Sequence, residues 1–139
     1  MGDSGKFVDK MDSEVRKRIN ELIKVGWAEL GKLNLIAVRE TAEEIITVSN
    51  KNSYDKGFMV GYYLHGLVEI NLNRFDLALD FYFKALNAIL KTDDKDSISI
   101  SYENLGRCYG RLGNYNECLQ YFLKADELSC LQQSASKCS

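Results

Sequence analysis

Residues 103–125 read "ENLGRCYGRLGNYNECLQYFLKA". Leu105, Cys108 and Leu112 recur at spacings of three and four, as do Cys118, Phe122 and Ala125, the rhythm of helices with one buried face. "LGNY" divides the two runs, with Gly113 placed to end the first helix in a left-handed conformation that costs glycine nothing, and Asn114 placed to help start the second. Gly106 and Gly110 sit inside the first helix, where each costs about 1 kcal/mol relative to alanine. Such a cost persists where a neighbouring backbone must come close. The segment therefore predicts two antiparallel helices, nested where side chains are small and wedged by Tyr102, Tyr109 and Phe122.

The pattern recurs forty residues upstream. Aligning residues 60–89 with 100–129 pairs Tyr62/Tyr102, Gly66/Gly106, Leu72/Leu112, Leu79/Leu119, Lys84/Lys124 and Ala85/Ala125 as identities. Phe75/Tyr115, Phe81/Tyr121 and Tyr82/Phe122 exchange one aromatic ring for another, and Ala78/Cys118 one small side chain for another. Further breaks at "GKLN", "NKNSYD" and "KTDDKD" mark six helices, near 12–31, 34–50, 55–72, 75–91, 97–112 and 115–131, with Asp96 or Ser97 as the cap of the fifth. Short turns alternate with longer loops. The expected architecture is all-α: three hairpins over about 12–50, 55–91 and 97–131, flanked by flexible ends at 1–11 and 132–139.

Composition agrees with this. The 139 residues carry no proline, 45% hydrophobic and 27% charged residues, and a net charge of −2. That balance offers no field for nucleic acid or an anionic membrane, and no run is long and apolar enough to span a bilayer. The N-terminus lacks the apolar stretch of a secretory signal, so a cytoplasmic location is expected. Cys108, Cys118, Cys130 and Cys138 match no paired zinc spacing and read as reduced structural cysteines. His65 reads as a packed interior side chain, with no partner at a catalytic spacing, and no phosphate-cradling or hydrolase motif occurs. No enzymatic activity, cofactor or metal is expected.

The third hairpin resembles the tetratricopeptide repeat family. Tyr102, Leu105-Gly106, Tyr109, Gly113 with Tyr115, Cys118, Phe122 and Ala125 take the roles of its signature. Tyr62, His65-Gly66, Asn73 with Phe75, Ala78, Tyr82 and Ala85 do so in the second hairpin, where His65 and Glu69 depart from the pattern. In the first hairpin Gly26, Leu35, Val38, Ala42 and Ile45 fit the same offset, with Trp27 out of register. The family's closing proline is absent throughout, and the repeat is longer than usual, like those of bacterial cytoplasmic signalling proteins.

The resemblance implies a right-handed superhelix, a non-catalytic scaffold that binds a protein or peptide along its concave side. The alternative it implies is the sensory or dimerising part of a bacterial signalling protein whose output domain lies elsewhere. By the same resemblance Tyr63, Leu67, Ile70 and Asn71, with Glu103, Asn104, Arg107 and Arg111, face the groove. Equally, Glu103, Arg107 and Arg111 are four apart and form a solvated ion-pair ladder on one helix face. Tyr63 and Leu67 cannot clamp a terminal carboxylate as lysine and asparagine would. The sixth helix, with Leu119, Phe122, Leu123, Leu128 and Leu131, is expected to leave an apolar face for self-association through the last helix pair or for a continuing chain.

Overall fold

A computed structural model describes the backbone of residues 2–138 and the side chains of residues 13–129. Six helices follow one another, with no strand among the described residues: α1 (Gly2–Gly31), α2 (Leu35–Lys51), α3 (Asp55–Asn71), α4 (Phe75–Ile89), α5 (Lys95–Leu112) and α6 (Tyr115–Cys138). They pair as α1–α2, α3–α4 and α5–α6, and each hairpin packs on the next. Among the described residues neither helix of the first hairpin contacts the third, the pattern of a short solenoid in which neighbours alone cohere.

The helical backbone extends through residues 2–11 and 132–138. The cap of α5 differs from the expected one. Asp94, not Asp96 or Ser97, opens α5: its carboxylate accepts from the Ser97 N–H at 3.2 Å and from the Ser97 hydroxyl at 2.8 Å. The Ser97 bonds hold the Asp94 carboxyl below the usual aspartate range.

The forty-residue register is kept in backbone geometry. Leu33, Asn73 and Gly113 close the three intra-hairpin turns with φ of 59°, 60° and 83°. In each turn the next amide returns to a carbonyl five residues back: Asn34 to Glu29 at 2.9 Å, Arg74 to Glu69 at 2.8 Å, Asn114 to Tyr109 at 2.9 Å. One conformation is thus built with three different residues. Leucine is the poorest of them, because its Cβ strains against the backbone in the left-handed region. Leu33 is 66% exposed, so its side chain contributes little packing in return. Leu33→Gly is expected to stabilise the protein by about 0.5–1 kcal/mol, after allowing for the looser unfolded chain. An unchanged or lower urea midpoint at constant slope would refute the strain.

Two apolar clusters hold the hairpins together. Ile19, Leu22, Val38, Ala42 and Ile45 meet Leu64 and Val68 of α3 at the first junction. Ala78, Tyr82, Leu86 and Ile89 of α4 meet Ile98, Leu105 and Cys108 of α5 at the second. Rings wedge the second junction: Phe83 lies edge-on to Tyr109 and Tyr121, at centroid distances of 6.4 Å and 6.2 Å, and Tyr109 stacks on Tyr121 at 5.6 Å. Gly66 and Gly106 sit where nesting demands them. A Cβ on Gly66 would lie 2.3 Å from the Tyr82 ring, and one on Gly106 would lie 3.2 Å from both the Cys118 carbonyl and the Phe122 ring.

The conserved chemistry of the two aligned hairpins extends outward too. Lys84 lies over Tyr62 and Phe81, and Lys124 lies over Tyr102 and Tyr121, all at 5.1–5.8 Å from the ring centroids. A cation on an aromatic face accounts for the shared lysine. On α6, Tyr115, Leu119 and Leu123 form an exposed stripe at a spacing of four. Their counterparts Phe75, Leu79 and Phe83 are packed into the second core. Phe122 and Leu128 turn inward, against Gly106 and the core, so the expected outward face consists of a smaller set. Leu131 lies outside the described side chains.

Candidate functional site

The first helices of the second and third hairpins border a shared cleft. In α3, Tyr63, Leu67 and Ile70 recur at spacings of four and three, and all three are half-buried. In α5, Asn104, Arg107, Cys108 and Arg111 follow the same helical face. Together with Tyr82 from α4 these seven side chains line a cleft of about 180 Å³ between the second and third hairpins. A water-sized void of about 20 Å³ adjoins it under Met59, Ser101 and Asn104.

Six of the eight residues read from the sequence as groove-facing come together in this cleft: Tyr63, Leu67, Ile70, Asn104, Arg107 and Arg111. Asn71 and Glu103 do not line it. Asn71 is exposed and turns its amide back to the Leu67 carbonyl at 2.8 Å. Glu103 lies 3.9 Å from Arg107, one rung of the expected ion-pair ladder, with Arg107 largely and Glu103 partly in solvent. Such a pair contributes a few tenths of a kcal/mol at most. Of the expected ladder only the Glu103–Arg107 pair forms, beside the cleft, and Arg111 has no ion pair among the described residues.

Burial sets the character of the cleft floor. The phenols of Tyr63 and Tyr82 are both pushed up by loss of water, against a smaller opposing pull from the Arg107 charge. The Cys108 thiol, fully buried, is pushed up to about 11, first by burial and then by Asp76. It donates to the Phe75 carbonyl at 3.3 Å. A neutral, hydrogen-bonded thiol of this kind is a packing group and a poor nucleophile.

Trp27 lies forty residues before Leu67 and eighty before Arg107, none of them a signature position of the repeat, and its ring meets Tyr63 at 5.9 Å. Tyr63 in turn meets Tyr82 at 5.5 Å. The aromatic surface therefore continues from the cleft onto α1, with Trp27 44% exposed. Its partners in the register share no side-chain chemistry with it, so comparison by identity passes over it. Gly26 beside it confirms the register, since a Cβ there would lie 2.9 Å from Leu64.

Residues 59–128 match the model of the family Tetratricopeptide repeat, just over half of the chain. The chain belongs to the tetratricopeptide repeat family. No curated protein matches it. Repeats of this family mediate protein–protein interaction and are typically non-catalytic scaffolds. The two residues that depart from the repeat signature have structural roles here. His65 is buried and stacks on Phe81 at 4.9 Å, and burial lowers its pKa. Glu69, 6% exposed, lies between Arg39 of α2 at 3.3 Å and Arg74 of the α3–α4 turn at 3.6 Å. Among the described residues no cluster of His, Cys, Asp or Glu could hold a metal, and no helix is long and apolar enough to cross a membrane.

Proposed function

We propose that this tetratricopeptide protein is a cytoplasmic scaffold that receives an extended peptide segment of a partner protein in the groove formed by α1, α3 and α5. The observation that carries the reading is the cleft shared by the second and third hairpins. Its floor is apolar, its rim carries Asn104 and two guanidiniums, and its aromatic surface continues onto Trp27. Apolar ground supplies affinity, and a few placed polar groups fix the orientation of a ligand.

A competing surface lies elsewhere on the molecule. Asp55, Phe58, Tyr62, Lys84, Asn87 and Lys91 border an open depression of about 260 Å³ on the second hairpin. Lys84 there is already engaged over two rings, and no residue of another hairpin contributes. The groove is the better site because it spans hairpins. The test is selection of random peptides on the immobilised protein, followed by mapping of amide shifts on binding. Changes are expected at Leu67, Ile70 and Asn104. Changes confined to Tyr62, Lys84 and Lys91, or no selected peptide, would overturn the reading.

A further inference from the structure

Independently of the groove, we propose that the open depression on the second hairpin is a binding site for one free amino acid with an aromatic side chain. The forty-residue register sets this place beside its two counterparts. Val48, Ala88 and Leu128 share one register position. Val48 packs against the first core and Leu128 against the second, whereas Ala88 is too short to fill the space above it. In the first hairpin Arg18, the counterpart of Phe58, also reaches Glu44, the counterpart of Lys84, at 2.6 Å. In the third, Ile98 takes the place of Phe58 and is buried in the second core. The first hairpin thus bridges this place with an ion pair, the third packs it with aliphatic side chains, and the second leaves it open.

The size of the depression fits one small molecule. Its volume of about 260 Å³ lies below the range of drug-sized sites, about 300–1,000 Å³. Its walls are α3 and the facing end of α4, which run antiparallel, with Lys84 over Tyr62 at 5.8 Å and His65 stacked on Phe81 at 4.9 Å. The same pairing, carried along both helices, sets Phe58 against Ala88 and Asp55 against Lys91. From Asp55 to Tyr62 the helix rises about 10 Å, room for a single amino acid laid along it.

One end is charged and the other aromatic. At the charged end Asp55 and Lys91 present opposite charges from opposite walls. Neither makes an ion pair among the described residues, while the adjacent Lys56 and Asp94 take up each other at 3.9 Å. A free amino acid is the complement: its ammonium meets the Asp55 carboxylate, and its carboxylate meets the Lys91 ammonium and the Asn87 amide. A simple anion would be repelled by Asp55, and a simple cation by Lys84 and Lys91. At the aromatic end the rings of Phe58 and Tyr62 lie within 13° of parallel, 6.2 Å apart. A ligand ring laid against them over Ala88 gains apolar contact and brings its face towards the Lys84 ammonium.

The experiment titrates the full chain with L-phenylalanine and follows the backbone amide resonances. Shifts are expected at Asp55, Phe58 and Asn87, with Leu67 and Asn104 of the groove unmoved. N-acetylphenylalanine lacks the ammonium and phenylalanine amide lacks the carboxylate, and each is expected to bind about tenfold more weakly. Both also imitate the ends of a peptide, so equal or tighter binding of either would overturn the proposal. L-alanine, without a ring, is expected to leave the spectrum unchanged, and binding equal to that of phenylalanine would overturn it too. Ala88→Leu rebuilds the packing of the third hairpin and is expected to abolish the shifts at an unchanged urea midpoint. Asp55→Asn, at the rim, guards against a loss that reflects misfolding: it is expected to weaken phenylalanine about tenfold and to leave the N-acetyl form unchanged. Undiminished phenylalanine binding in either variant, or no shift at Asp55, Phe58 and Asn87 in the wild type, would overturn the proposal and leave the groove reading standing.

Discussion

Gly66→Ala is expected to destabilise the protein by about 1–3 kcal/mol, although helix propensity alone would favour alanine by about 1 kcal/mol. The two effects oppose each other, and distance decides between them. An added Cβ would lie 2.3 Å and 2.6 Å from two carbons of the Tyr82 ring, well inside any sustainable contact. Tyr82 is 3% exposed and sits against Tyr63 at 5.5 Å, so its ring can move only toward the adjoining cleft, at the expense of that contact. Further relief comes from separating α3 and α4, which loosens the hairpin on which both cores depend. Gly106→Ala meets its neighbours at 3.2 Å, and a shift of a few tenths of an ångström suffices, so its cost is smaller. Gly31, with nothing within 4 Å, serves as the reference at which alanine is harmless. Urea unfolding of Gly66→Ala, Tyr82→Leu and the double variant measures the clash as a coupling energy. If Gly66→Ala proved as stable as the wild type, or if Tyr82→Leu gave no relief, the close approach of these helices would be wrong.

This clash was legible in the sequence because it belongs to the class of positions that repeat. Gly66 and Gly106 face Tyr82 and Phe122 across each hairpin, so the same geometric demand selects the same residue types forty positions apart. Trp27, Leu67 and Arg107 occupy one register position with three chemistries, because a position on an open face is free to vary and a packing position answers to its neighbour. The first kind of position therefore escapes comparison by identity, and contact with Tyr63 is needed to reveal Trp27. The cap of α5 was ambiguous for a different reason. "TDDKDS" offers several capping side chains in a row, and the choice falls on Asp94 because α4 ends at Ile89 and the chain turns at once, with Thr92 bonded to the Ile89 carbonyl. Glu69 was visible only as a departure from the repeat pattern. Its meaning depends on Arg39, thirty residues away on another hairpin, and a periodic reading within one hairpin has no access to that pairing.

Glu69 also carries the second large expected effect, and it is asymmetric. Removing both arginines, Arg39→Ala with Arg74→Ala, is expected to cost about 3–5 kcal/mol, because a carboxylate that is nine-tenths buried is left without a counter-charge. Removing the carboxylate by Glu69→Leu is expected to cost about 1 kcal/mol or less, because the arginine side chains are already 44% and 56% exposed and can complete their hydration. A simple count of lost ion pairs predicts the same cost for both changes, since each abolishes both pairs. Desolvation separates them. The oxygen facing Arg74 makes no hydrogen bond, which places that contact among the weaker ion pairs and leaves Arg39 as the principal partner. Arg39→Ala alone should therefore account for more than half of the double variant's loss. Because Arg39 lies on α2 and Glu69 on α3, the damage falls on the junction between the first and second hairpins, and a solenoid transmits it weakly to the third. Amide exchange in the double variant should accelerate in α1 and α2 well before α5 and α6. Equal costs for the arginine and glutamate variants, or uniform acceleration across all six helices, would show that Glu69 is not the buried charge around which the first junction is built.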